Sequence, residues 1–320
     1  MSRPRVLVSG PLPGPDIERL RAAFSVELFP EPRGLGKQGL LEHIGDHDAL
    51  LPFVTDTVDR EVLSRAPRLK VVANCGVGVN NIDLAACRER GIVVTNTPEV
   101  LTDATADVTW ALILDACRGI TAGDRAVRAG RWKGWAPTEY IGVRVTGATL
   151  GIVGLGRIGR AVAARARGFS MKVVYTQRAR LSAEIEADLG ASYTDMDRLF
   201  AEADIVCLCC PLTPETRGLV SKARIASMKR GSVLVNTARG PCVDEEALAE
   251  ALQTGHLFAA GLDVYANEPQ IAPALLRCDN VVLAPHVGSA DRPTREAMAR
   301  ICVDAIFDVL AGMEPKTRVA

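Results

Sequence analysis

The sequence predicts an α/β protein of two domains, each a parallel sheet covered by helices. Two observations carry this. Short β-branched runs alternate with amphipathic helical segments along nearly the whole chain, and the alternation is interrupted once, near residue 103, before it restarts. Helical crossovers bring successive strands back parallel and cover both faces of the sheet. With 320 residues the chain accommodates two domains of ordinary size, each with its own core.

In chain order, "RVLVSG" reads as a strand, "PDIERLRAAF" as a helix, and "SVELF", "ALLPFV", "LKVVANCG" and "GIVVTNT" as further strands. The long helical stretch "DATADVTWALILDACRGI" then crosses into the second domain. There "ATLGIVG", "MKVVYT", "DIVCLCC", "GSVLVNT", "AAGLDVY" and "NVVLAPH" supply six strands, the pattern of a doubly wound dinucleotide fold. After His286, "ADRPTREAMARICVDAIFDVLAG" repeats apolar residues at Ala297, Ile301, Ala305 and Val309, a helical spacing, and its simplest packing is back on the first domain. The expected division is 1–98 with 290–320, and 99–289, with crossings near Pro98 and Ser289. The tail "MEPKTRVA" is expected to fray.

Bulk properties narrow the partners. Basic and acidic residues balance at 38 each, so no overall field recruits nucleic acid or an anionic membrane, and a small molecule is the natural partner. Nine cysteines without regular spacing suit reduced thiols in the cytoplasm rather than a disulfide framework. The apolar run in "MSRPRVLVSGPLPG" is too short for a signal peptide, and nowhere do the ~18 apolar residues of a membrane span occur together. The cluster Cys207 to Cys210 lies within an apolar strand, and no second Cys or His pair stands at ligand spacing. It reads as small buried core residues, and no metal is expected.

The Gly-rich turn "GIVGLGRIGR" carries the first chemical signal. Gly154 allows the tight turn, Gly156 lets backbone approach a pyrophosphate, and Gly159 permits close helix–strand packing, with a helix starting near Arg157. Strand, loop, helix and next strand follow at the spacing that a dinucleotide site requires. In such sites an acid normally stands about 20 residues later, on the ribose 2′-hydroxyl. Here Thr176, Gln177 and Arg178 hold that place, with Arg180 close by. An acid would repel the 2′-phosphate of NADP, and either guanidinium could clamp it, so NADP(H) is the expected cofactor, with NAD(H) possible.

Ligands of an open parallel sheet bind beyond the carboxyl ends of its strands. Three such ends carry charge or imidazole: "SVLVNTARG" at Arg239, "AAGLDVYANEP" at Asp263 and Glu268, and "NVVLAPHVG" at His286, one of four histidines. Any one of them could be a plain surface or structural group; three on one side of a sheet point to function. An imidazole beside a carboxylate suits proton transfer to or from a carbonyl oxygen, which assigns His286 and Glu268. A guanidinium forks onto a carboxylate and polarises a neighbouring carbonyl, so Arg239 suits a 2-oxo acid.

The ordered set "GLGRIGR", "NTARGPCVDEEAL", "GLDVYANEP" and "LAPHVG" resembles the D-isomer-specific 2-hydroxy acid dehydrogenases, and within them the glyoxylate and hydroxypyruvate reductases. The resemblance spans nearly the whole chain and is firmest from Val71 to Ser289. It implies a Rossmann dinucleotide-binding domain and a smaller flavodoxin-like substrate domain made from both chain ends. It also implies that Arg239 binds the substrate carboxylate and carbonyl, that His286 is the acid/base with Glu268 as partner, and that Asp263 lies by the nicotinamide. Further cofactor contacts are expected at Ile158, Cys210, Pro211 and Thr237. In "NCGVGVNNID", Val77 and Gly78 match the loop whose N–H groups receive the substrate carboxylate. The segment "RWKGWAP" resembles the reductases' dimerisation arm, here about 101–140, in which Trp135 would reach the partner's site; Trp132 could instead be core.

A homodimer reducing a small 2-oxo acid to the D-2-hydroxy acid is therefore expected. Glu268 stands where formate dehydrogenases of this fold carry glutamine. Two alternatives stay open at this level, a short phosphoglycerate dehydrogenase and a corepressor-like protein that senses nicotinamide cofactors with the same catalytic residues retained.

Overall fold

The computed structural model describes residues 3–320. The chain forms two compact units, Met1–Leu101 with Ser289–Ala320, and Thr102–Gly288. In the first unit, β1 (Arg5–Val8), α1 (Asp16–Ala23), β2 (Ser25–Leu28), α2 (Gly36–His43), β3 (Ala49–Leu51), α3 (Arg60–Ser64), β4 (Val71–Ala73), α4 (Leu84–Glu89) and β5 (Val93–Thr95) alternate as the sequence predicts. All its strands are parallel, in the order β2-β1-β3-β4-β5, the flavodoxin-like order. β1, β3 and β4 are buried on both faces, which is why they read as unbroken apolar runs rather than as alternations.

The second unit begins with α5 (Thr102–Arg118) and α6 (Ile120–Arg128). It continues through β6 (Thr149–Val153), α7 (Arg157–Ala166), β7 (Lys172–Thr176), α8 (Ala183–Leu189), β8 (Ala191–Tyr193) and α9 (Met196–Glu202). β9 (Ile205–Leu208), α10 (Lys222–Ser227), β10 (Val233–Asn236), α11 (Glu245–Gln253), β11 (Ala259–Leu262), α12 (Pro273–Leu276) and β12 (Val281–Leu283) complete it. The sheet order β12-β11-β10-β9-β6-β7-β8, all parallel, is the Rossmann order extended by one strand. Six strands were expected here and seven are present. The one not expected is β8, a three-residue edge strand with only Ala191 buried, too short and too polar to show in the hydrophobic pattern; the strand beyond the Rossmann six is β12.

Three further expectations change. α5, at the start of the segment expected as the arm at about 101–140, is core: Ala106, Trp110, Ile113 and Cys117 are buried and the helix packs on α7, β10 and β11. In the final helix, α13 (Arg292–Leu310), only Ala305 of the four expected positions is buried. The buried stripe runs instead through Met298, Ala299, Cys302, Val303, Ala305 and Ile306, facing α1, β3, β4 and β5. Met and Cys fill that face, so a stripe drawn through one residue per turn misses half its width.

The tail does not fray. Val319 N–H donates to Val94 O at 2.8 Å, Val94 N–H to Ala320 O at 2.9 Å and Asn96 N–H to Thr317 O at 3.2 Å. β5 is an edge strand whose outer backbone groups need partners, and the tail supplies them.

Candidate active site

The carboxyl end of the second sheet assembles most of the expected residues. β6 ends at Val153 and the Gly-rich turn follows. Gly154 has φ +93°, and a Cβ there would stand 2.9 Å from the backbone of Cys210, so only glycine fits. A Cβ on Gly159 would stand 2.2 Å from Gly154 O, which explains the third glycine as a packing requirement. Gly156 is exposed and has open space where a Cβ would be.

Gly156 is also the N-cap of α7 and offers no side chain to its first-turn N–H groups, whereas Ser182, Asp195, Ser221 and Asp244 cap α8, α9, α10 and α11. An uncapped N-terminus beside a glycine with free space fits an incoming pyrophosphate. Arg157 is exposed and Ile158 half-buried on the first turn of that helix.

At the end of β7, Thr176 is buried, and Gln177 turns back to accept Leu155 N–H at 3.0 Å and donate to Ala179 O at 2.7 Å. Gln177 thus props the Gly-rich loop. The two arginines differ. Arg180 is held by Glu186 through Nε at 2.9 Å and Nη2 at 2.8 Å, and Tyr175 donates its hydroxyl to the same carboxylate at 2.7 Å. Arg180 and Tyr175 hold Glu186 down at a pKa of about 2. Arg178 is exposed. Of the β9 end, Cys210 is buried and Pro211 exposed, while Cys207 is core and Cys209 half-buried. Thr237, after β10, shares a 2.8 Å hydroxyl contact with Thr109 of α5.

The charged set occupies the ends of β10, β11 and β12. His286 Nδ1 lies 2.7 Å from Glu268 Oε2, and Glu268 Oε1 accepts Tyr265 N–H at 3.0 Å. With Nδ1 committed to the carboxylate, Nε2 is the nitrogen left for exchange. Asp263 is buried, and its two oxygens accept Val287 N–H at 2.7 Å and Gly288 N–H at 2.8 Å. His286 itself has φ +54°. Burial pushes the Asp263 carboxyl up despite those two donors and the His286 charge.

Arg239 is half-buried three residues beyond β10. Burial pushes its guanidinium down from the ordinary value, and the charge of Glu268 opposes this. Asn236 shapes the turn, accepting Ala238 N–H and donating to Arg239 O, both at 2.9 Å. A Cβ on Gly240 would fall 1.8 Å from the carbonyl carbon of Tyr265. The turn carrying Arg239 and the loop carrying Glu268 therefore touch backbone to backbone. Glu245, first residue of α11, adds a 2.6 Å bond from Ala266 N–H. These supports were not read in the sequence; the glycine after Arg239 was the one signal that could have found the first of them.

In the first unit, Val77 and Gly78 lie half-buried in the loop that follows β4. Neither N–H finds an acceptor among the described residues. Gly76 is needed for packing, since a Cβ there would meet the Val54 side chain at 2.4 Å. Elsewhere, Trp132 is 52% and Trp135 86% exposed, so Trp132 is not core. Six of the nine large apolar side chains exposed among the described residues fall between Ile120 and Ile141.

Residues 110–288 match the family model for the D-isomer specific 2-hydroxyacid dehydrogenase, NAD binding domain. A glyoxylate reductase of Thermococcus kodakarensis is 44% identical, the alignment covering 99% of this chain and 96% of that protein. A protein of Thermus thermophilus superposes with a TM-score of 0.92 at 47% identity, over 99% of this chain and all of that one. The NADPH-dependent glyoxylate/hydroxypyruvate reductase of Sinorhizobium meliloti, solved with NADP and malonate, superposes at 0.87 with 34% identity over 100% and 97% of the two chains.

Burial pushes the Glu268 carboxyl up, but the hydrogen bond and charge of His286 and the Tyr265 N–H outweigh it and hold the group below the ordinary glutamate range. A carboxylate depressed in the folded chain contributes stability that is complete above its unfolded pKa and lost as pH falls through the folded one. Glu268→Gln should therefore shrink the drop in urea midpoint between neutral pH and pH values below the ordinary glutamate range. Equal acid sensitivity in both proteins would show that the pair does not hold Glu268 ionised.

Proposed function

This chain belongs to the D-isomer specific 2-hydroxyacid dehydrogenases, NAD(P)-dependent oxidoreductases, and from that premise we propose that it reduces a small 2-oxo acid, glyoxylate or hydroxypyruvate, to the D-2-hydroxy acid. The observation that carries the proposal is the 2.7 Å His286–Glu268 pair at the strand ends of a sheet whose neighbouring end presents Arg239. When bound, the nicotinamide cofactor supplies the hydride. His286 gives the proton to the substrate oxygen from Nε2, and Glu268 keeps Nδ1 engaged and so fixes which nitrogen faces the substrate. Arg239, partly withdrawn from water, polarises the carbonyl and holds the carboxylate. The Val77 and Gly78 N–H groups are the proposed receivers of that carboxylate in the first unit.

Gly154, Gly156, Arg157, Ile158 and Gly159 are the proposed pyrophosphate cradle, with Thr176, Gln177, Cys210, Pro211, Thr237 and Asp263 as further cofactor contacts. NADPH is the proposed preference, with NADH accepted. Two features support this: β7 ends without an acid, and the cofactor in the Sinorhizobium meliloti relative is NADP. Because Arg180 is engaged by Glu186, Arg178 is the guanidinium proposed for the 2′-phosphate. The exposed apolar side chains between Ile120 and Ile141 support a homodimer, with Trp135 reaching the partner's site, since an exposed patch of this kind marks an interface. Among the described residues no helix is long and apolar enough to cross a membrane, and the cytoplasm is the proposed compartment.

His286→Ala should lower kcat by about 10²–10⁴-fold with cofactor binding nearly intact; near-normal turnover would remove His286 from the mechanism. Arg178→Ala should raise the KM for NADPH by about 10-fold or more and leave NADH little changed, as loss of a charge-assisted bond predicts. Equal kcat/KM for the two cofactors in the unmodified protein would sink that assignment. Light scattering should give the mass of two chains, and a monomer at assay concentration would count against the dimer.

A further inference from the structure

We propose that Asn74, Asn81 and Asn96 are positioning residues that make the loop after β4 an anion receptor, by holding its carbonyl oxygens back so that consecutive N–H groups are presented. The inference rests on the reading that Val77 and Gly78 receive the substrate carboxylate. In a trans peptide the carbonyl of one residue and the N–H of the next point opposite ways. Whatever fixes a carbonyl therefore aims the following N–H.

Three consecutive carbonyls are fixed in this way. Gly76 O accepts Thr97 N–H at 3.1 Å and Asn74 Nδ2 at 3.3 Å, which turns Val77 N–H away from them. Val77 O accepts Asn96 Nδ2 at 2.8 Å, turning Gly78 N–H away, and Gly78 O accepts Asn74 Nδ2 at 2.9 Å, turning Val79 N–H away. None of the three N–H groups has an acceptor among the described residues. All three residues are half-buried. Unpaired amide donors in such a setting are costly unless water or a ligand takes them. Successive outward N–H groups form the concavity that anions occupy.

The asparagines are held in their turn. Asn74 is fully buried, directly after β4, and its Oδ1 accepts Asn81 Nδ2 at 3.1 Å, which directs the Asn74 Nδ2 to the loop. Asn81 Nδ2 also reaches Phe53 O at 3.2 Å and Asp56 O at 3.1 Å. Asn96 follows β5, the neighbour of β4, and its N–H is tied to Thr317 O of the tail. An amide is required at these places: a carboxylate has no donor for a carbonyl and would add negative charge where an anion is to bind.

The test is steady-state kinetics of the full chain. Asn96→Ala and the near-isosteric Asn96→Asp both remove the donor to Val77 O. They should raise the KM for the 2-oxo acid about tenfold, with kcat and the KM for the nicotinamide cofactor within about twofold, the signature of lost uniform substrate binding. An unchanged oxo-acid KM, or an equal rise in both KM values, would overturn the proposal, the second because it marks a general structural role. Should Asn96→Ala fail to fold, Asn81→Ala carries the same test, since it frees the Asn74 amide without touching the loop backbone. Gly78→Pro separates the two layers, because it deletes a proposed donor itself. If it raises the oxo-acid KM while the Asn96 variants do not, the carboxylate reading stands and the positioning role falls. If neither acts, the carboxylate is held elsewhere and both fall.

Discussion

The buried carboxylate of Asp263 is the contact on which the geometry around His286 rests. Its two oxygens take the N–H groups of Val287 and Gly288, and between that anchor and β12 the chain is forced through a left-handed conformation at His286. A non-glycine residue there costs about 1–3 kcal/mol. Two hydrogen bonds to a carboxylate contribute about 1.5–3 kcal/mol each, enough to offset it. The result is an imidazole whose direction is set by backbone rather than by a free rotamer, with Nδ1 delivered to Glu268. Burial of Asp263 is compensated because both oxygens are satisfied by donors that exist only when the loop is in place.

Close backbone approach joins the other two members of the set. Gly240 lets the Arg239 turn lie directly on Tyr265 and Ala266, so two loops that leave different strands behave as one packed layer. Glu268 then serves two partners, the imidazole by hydrogen bond and the guanidinium through space. Burial works against ionisation of both Glu268 and Arg239. Opposite charges brought out of water together keep their mutual attraction large, which is the condition under which a site can act on a charged substrate.

At the cofactor end, charge is sorted by partnership rather than by sequence. Arg178 and Arg180 are two residues apart, yet Glu186 and Tyr175 commit only Arg180 to the scaffold. Gln177, where an acid would ordinarily stand, props the Gly-rich turn through Leu155 N–H. Substituting Gln177 would therefore also disturb the support of the Gly-rich turn.

The sequence by itself determined the strand and helix alternation, the Gly-rich turn and the strand-end set Arg239, Asp263, Glu268 and His286. Each is a local matter: hydrophobic period, spacing between glycines, and residue type just after an apolar run. It did not show β8, whose three residues carry almost no buried surface, nor the pairing of the tail with β5, which needs an edge strand far away in sequence. Nor did it show that α5 is core. Tertiary structure alone decided that Asp263 clamps the His286 loop, that Arg180 is taken by Glu186, and that Asn74, Asn81 and Asn96 meet at one loop. Those are contacts of 19 to 25 residues' separation or of paired side chains, where direction in space matters and composition says nothing: Val287 and Gly288 lie 24 and 25 residues from Asp263, and Asn96 lies 19 from Val77, whose carbonyl it reaches. An amide donor and a carbonyl acceptor are present at nearly every residue of a chain, and only the fold selects which of them meet.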